Sequence, residues 1–227
     1  MKKVVFCFFL VFCFKGVVFS QVSNDAGLWA TFNLEKKINK KFTFFLTEEY
    51  RRRENFTRLN LFYTDIGLAY KPFDILKVSL AYRLIEKYEQ DNSFSYRHRI
   101  MLDITLKKKF SQLVVSFRER LQVENRNIYT SDKGRYPEWY SRNKLKLAYD
   151  FNKPITPYIA AEMRYQIVNP RSVEGNYQWS RGRYFIGLDY KRNDRHAFGL
   201  YYMIQEEFDI SAPQNLYIVG IEYSLSL

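Results

Sequence analysis

For most of its length the chain alternates apolar and polar side chains in runs of roughly ten residues or more. Phe62, Thr64, Ile66, Leu68 and Tyr70 share one face, and so do Leu76, Val78, Leu80, Tyr82 and Leu84. The period recurs in Ile100, Leu102, Ile104 and Leu106, in Leu145, Leu147 and Tyr149, and in Ile159, Ala161, Met163, Tyr165 and Ile167. It closes the chain in "YIVGIEYSLSL", where every odd position from Tyr217 to Leu227 is apolar or aromatic. Successive strand side chains point to opposite faces, so each run is a strand with one greasy and one wet side. No run keeps helical spacing, and the pattern predicts an all-β protein.

The wet side decides what kind of all-β protein. It carries Arg83, Arg97, Arg99, Asp103, Arg118, Arg120, Lys144, Lys146, Glu162, Arg164, Arg181, Arg183 and Glu222. A small soluble ligand-binding barrel points its apolar residues inward and would leave these charges outside. A membrane barrel does the reverse, with an apolar belt on lipid and a polar interior. Runs of this length are also what a tilted strand needs to cross a bilayer. The expectation is a single up-and-down antiparallel transmembrane β-barrel of about 10–12 strands, residues 21–227. Eleven runs can be counted if 27–35 is one, whereas single-chain bacterial barrels have even numbers, so ten or twelve is expected.

The connections support this. Short basic turns lie at "KKINK", "KPFD", "KKKF", "FNKPIT" and "KRND", and they alternate with longer polar stretches near 52–57, 88–95, 124–138, 168–178 and 207–215. Short turns on one rim and long loops on the other are the habit of outer-membrane barrels. Phe32, Phe42, Tyr70, Phe73, Phe110, Tyr149, Phe151, Tyr158, Tyr190 and Phe198 lie beside the short turns. They read as an aromatic girdle, because amphipathic rings gain most where hydrocarbon meets water.

The first twenty residues, "MKKVVFCFFLVFCFKGVVFS", have a basic start, an unbroken apolar run from Val4 to Phe14 and small residues at Val18 and Ser20. They read as a signal peptide cut after Ser20, which implies export; with the barrel pattern, the expected destination is a Gram-negative outer membrane. Cleavage removes Cys7 and Cys13, and with them any thiol chemistry or disulfide. It also lowers the formal charge from +12 to +9, since Lys2, Lys3 and Lys15 leave. The partners expected are outer-membrane lipid and, during biogenesis, the barrel-assembly machinery, whose signal an apolar C-terminus resembles. Nucleic acid is not expected, because the positive charge is spread over one face of every strand and the chain is exported. No cofactor is expected, and two isolated histidines without cysteine give no metal site.

The candidate site is the inner wall. With a two-residue turn at Lys108–Lys109, Arg99 would face Arg118 and Arg97 would face Arg120. Arg83, Arg142 and Lys144 would lie alongside. The acids available as counter-charges are Glu49, Asp65, Glu162 and Glu222. Two readings follow: ion pairs that seal the lumen, or a porin-like, narrow passage that prefers small anionic solutes. The rival classes are an outer-membrane lipase or acyltransferase and a soluble periplasmic ligand-binding barrel. Catalysis would need a base, and the histidines are His98 and His196. The estimated register puts Glu119, not a serine, across from His98, and the chain has no G-x-S-x-G elbow. No catalytic residue is assigned.

At "TEEYRRRENFTRLNLFYTDIGLAYK" followed by "LKVSLAYRLIEKY", the sequence resembles the exported family called domain of unknown function 2490. The features that carry the resemblance are Glu48-Glu49 followed by Arg51, the stretch Tyr63-Thr64-Asp65-Ile66-Gly67, and Tyr82-Arg83. The resemblance implies an outer-membrane barrel over nearly all of 21–227, with no established activity and no catalytic residues to carry over.

Overall fold

The computed structural model describes residues 23–126, 136–170, 176–209 and 213–227; the expected signal segment lies outside them. Eleven strands account for almost all of the described chain: β1 (Ser23–Lys37), β2 (Phe42–Arg53), β3 (Arg58–Phe73), β4 (Leu76–Tyr88), β5 (Phe94–Phe110), β6 (Leu113–Arg126), β7 (Glu138–Tyr149), β8 (Ile155–Val168), β9 (Gln178–Lys191), β10 (His196–Glu207) and β11 (Gln214–Ser226). They close into one barrel in chain order. Each consecutive pair is antiparallel, while β11 closes against β1 in parallel, with Leu28 beside Val219 and Phe32 beside Tyr223.

That seam corrects the expectation of an even count. Antiparallel closure requires an even number of strands, and β1 is a regular strand paired on both sides. The circle therefore closes with eleven, the extra strand being absorbed by one parallel pair. Turns at 38–41, 74–75, 111–112, 150–154 and 192–195 lie on one rim; on the other, 54–57 and 89–93 are of similar length, while the intervals 127–137, 169–177 and 208–213 are longer.

The turn after β5 also differs from expectation. The strand continues through "KKKF", and the reversal falls at Ser111–Gln112, where Phe110 pairs with Leu113. Ser111 takes the left-handed conformation at φ 54° without being glycine. Lysines at the strand end look like turn residues in the sequence, but they extend the ladder at an exposed rim. The register consequently slides: Arg99 faces Glu124, Asp103 faces Arg120, and His98 faces Asn125 rather than Glu119. The slip is even, so every side chain keeps its predicted face.

The outer face carries the apolar alternation. Leu102, Ile159, Ile186, Leu200 and Ile221 are each about half exposed around the cylinder. A surface groove of about 650 Å³ on this face is lined by residues such as Leu147, Ile159, Ile186 and Leu188, with no charged side chain among them. Near the short turns the aromatics meet as expected: Phe42 stacks on Tyr70 with centroids 4.8 Å apart, Tyr149 meets Phe151 at 4.7 Å, and Phe198 meets Tyr223 at 5.1 Å. Tyr158 is the exception, because its parity puts it inside. It is buried, and a Cβ on Gly187 would come within 2.6 Å of its ring, so glycine is what lets the ring lie against the wall. Tyr201 covers Gly220 in the same way.

The interior is not uniformly charged. Trp29, Ala148, Tyr158, Ala160, Tyr201, Met203 and Ile218 form a buried cluster drawn from β1, β7, β8, β10 and β11. The charged side chains concentrate on the run from β2 to β9, which includes Glu162 and Arg164 of β8.

Candidate functional site in the lumen

Each strand of the ionic arc presents its charges at every second position, so one arginine or acid stands above the next along the inner wall. The seven basic residues expected there, Arg83, Arg97, Arg99, Arg118, Arg120, Arg142 and Lys144, all line interior cavities. So do the four acids Glu49, Asp65, Glu162 and Glu222.

Most of the charges are paired. Asp65 accepts from Nε and Nη2 of Arg83 at 2.5 and 2.6 Å, a bidentate fork whose guanidinium also lies 3.5 Å from the centroid of the Tyr63 ring. Asp103 accepts from Nε and Nη2 of Arg120, both at 2.7 Å. Glu162 is the hub: it accepts from Arg118 at 2.6 Å and from Arg183 at 3.3 Å, and it also binds Arg142. Glu49 takes Arg51 and the Thr31 hydroxyl, the latter at 2.8 Å. Arg51 in turn stacks 3.5 Å over Trp29, where the ionic arc meets the apolar one. Fork-to-fork arginine–carboxylate bonds of this kind are strong and directional, and burial removes the water that would compete for them.

Like charges do face each other across β6 and β7, Arg120 beside Arg142 and Arg118 beside Lys144. The neutralising acids come from the flanking strands: Asp103 on β5 and Glu162 on β8. Glu222 and Lys144 behave differently from the expected counter-charge arrangement. Among the described residues, Glu222 makes no ion pair, and Lys144 packs 4.2 Å over the Phe185 ring instead.

The lumen is divided by these pairs. A chamber of about 310 Å³ lies toward the short turns, and one of about 160 Å³ lies toward the long intervals. Arg51, Arg83, Arg142, Glu162 and Arg183 border both, and so form the partition. The sequence reading missed Arg51, Arg126, Glu124 and Glu138 as site residues. Glu124 and Glu138 face each other on β6 and β7 beside the long interval, where both had been read as loop. Arg51 was recognised for its place in the "EEYRRR" stretch but not as a lumen residue, although it alternates in register with Glu49.

The two histidines face away from the lumen chemistry. His98 Nδ1 lies 2.6 Å from the Tyr82 hydroxyl, and His196 Nδ1 lies 2.8 Å from that of Tyr223. On the outer face, Ser141 donates to Glu119 at 2.6 Å and accepts from Asn143 at 3.3 Å, a small polar island in the belt.

The family described as "Protein of unknown function (DUF2490)" matches residues 26–217, which spans β1 into β11. The chain belongs to this family. No curated protein matches the chain. The family's description names no activity, so the charged interior is the feature from which function must be read.

Proposed function

We propose that this DUF2490 chain is an outer-membrane β-barrel whose lumen is a constricted, anion-preferring passage rather than an open pore. One observation carries the reading: apolar side chains point away from the cylinder axis and ionised ones point toward it. A soluble barrel would leave an apolar belt of this size in water, well beyond the patches that monomeric soluble proteins expose. Around a hydrocarbon layer the same belt is favourable, and a closed sheet leaves no backbone group unsatisfied there. The expected signal segment and the loop asymmetry between the rims favour the outer membrane as that layer.

Anion preference follows from the balance of charge. Arginine and lysine outnumber the acids on both chamber walls. Fixed positive charge in a low-dielectric channel raises the local anion concentration and repels cations. The partition of paired arginines narrows the route, so only small solutes would pass. Lipid would be the outer partner, and the barrel-assembly machinery would insert it.

The test is reconstitution. The refolded chain should migrate differently on a gel before and after boiling in detergent. In planar bilayers it should give small conductance steps whose reversal potential under a potassium chloride gradient favours chloride. A chain that stays monodisperse in detergent-free buffer, or one with cation preference, would end this reading.

A further inference from the structure

The smaller chamber holds more positive charge than its own acids neutralise. Nine arginines and two glutamates wall its 160 Å³. Four of them, Arg51, Arg83, Arg142 and Arg183, belong to the partition and have Glu49, Asp65 and Glu162. The other five face three carboxylates. Glu124 is shared among Arg97 at 3.5 Å, Arg126 at 3.0 Å and Arg99; Glu138 takes Arg126 at 2.9 Å, and Glu207 takes Arg181.

Two of the five have donors left over. Arg164 donates Nε to the Ser180 hydroxyl at 2.9 Å and lies 4.9 Å over the Tyr140 ring, with no carboxylate in ion-pair range among the described residues. Arg181 has a buried Nε with no partner. The backbone is built around this pair. A register shift between Arg164 and Tyr165 makes Ser180 an extra residue on β9, so that Ser180 is buried next to Arg181 and within reach of Arg164. Such bulges re-aim side chains where regular pleating would not place them.

From these features we infer that the chamber is a binding site for a phosphoryl oxyanion, with Arg164 and Arg181 as the principal ligands and Arg97 in support. This rests on the lumen-facing arrangement used above but not on conduction. A buried guanidinium without a counter-charge is costly, and an oxyanion removes that cost. Planar guanidinium forks match the paired oxygens of a phosphoryl group, which a spherical halide does not offer. Size sets the ligand: the chamber holds far more than the roughly 15 Å³ one water needs, yet less than the roughly 300 Å³ where pockets for drug-sized molecules begin. It fits one free phosphate or one phosphorylated headgroup reaching in from the long-interval rim.

The experiment uses the folded full chain in detergent, titrated calorimetrically with inorganic phosphate and, separately, with short-chain phosphatidic acid, against sodium chloride at matched ionic strength. Saturable one-to-one binding of inorganic phosphate identifies the free anion as ligand, and binding of the lipid alone identifies a headgroup. Arg164→Gln with Arg181→Gln should weaken either by at least about tenfold, and Arg164→Lys, which keeps charge but loses the fork, should fall between. Removing surplus positive charge relieves repulsion, so these variants should still show the heat-dependent gel shift. No saturable binding of either probe, or binding unchanged in the double variant, overturns the inference. A chain that inserts and conducts yet binds neither probe fails only here; one that binds phosphate but remains soluble fails only the membrane reading.

Discussion

The two arcs of the inner wall solve one problem in opposite ways. Along β10, β11 and β1, and at Tyr158 and Ala160 of β8, the lumen is filled by rings and small residues, with Tyr158 and Tyr201 flat over glycines and Met203 fully enclosed. Along β2 to β7 it is filled by guanidinium groups held apart by shared acids. The apolar arc would pack the same way in any dry interior. The ionic arc is held by exchange of hydrogen bonds, and deleting one shared acid strands several cations at once. The difference teaches that this barrel gathers most of its interior charge on one stretch of the wall and packs much of the remainder as an apolar interior.

Four substitutions test that division. Glu162→Ala should cost most, about 3–5 kcal/mol, because Arg118, Arg142 and Arg183 lose their common acceptor. The urea midpoint in detergent reads it, and pairing it with Arg142→Ala should recover part of the loss, as coupled sites do. A loss no larger than a surface pair's would remove the ionic arc's structural role. Met203→Ala, on the apolar arc, should cost about 2–5 kcal/mol from lost contacts and the cavity left behind. It should leave any ion selectivity unchanged.

Gly220→Ala should destabilise by about 1–3 kcal/mol although alanine normally suits a strand better, since the new methyl would meet the Tyr201 ring. A neutral result in thermal melts would mean the ring can tilt away, which makes the apolar arc softer than close ring-on-glycine packing implies. The smallest effect is expected at the rim, from Asp150→Asn. The hydrogen bond from Lys109, at 2.6 Å, holds the Asp150 carboxyl below the usual carboxylate range. A lowered folded value means the contribution is present above the unfolded pKa and lost as pH falls through the folded one. Wild type and variant should therefore differ slightly at neutral pH and converge in acid.

Much of this was legible in the alternation alone. Leu102 and Ile221 lie on the outside and Arg83 and Glu222 on the inside because period-two patterning fixes a face regardless of register. Pairing was less legible. The true partner of Arg99 is Glu124, six residues further along β6 than the Arg118 that a turn at Lys108–Lys109 would give, because the reversal falls at the left-handed Ser111. Nothing in the local sequence of β1 says that it will lie parallel to β11, since that choice is made by whole-barrel closure. Tyr158 was misplaced because its nearness to a turn was weighed above its parity. The unpaired donors of Arg164 and Arg181 depend on an extra residue in β9, which an alternation pattern does not show.

The parallel seam has a practical result for anyone re-engineering the chain. In a cylinder closed antiparallel, the first and last strands finish side by side, and a few residues can splice them. Here Ser23 sits at the opposite rim from Ser226, separated by thirteen paired positions. A circular permutant would need a tether of about 40 Å, the span of thirteen extended residues. Reporters fused ahead of β1 and behind β11 would emerge on opposite sides of the cylinder.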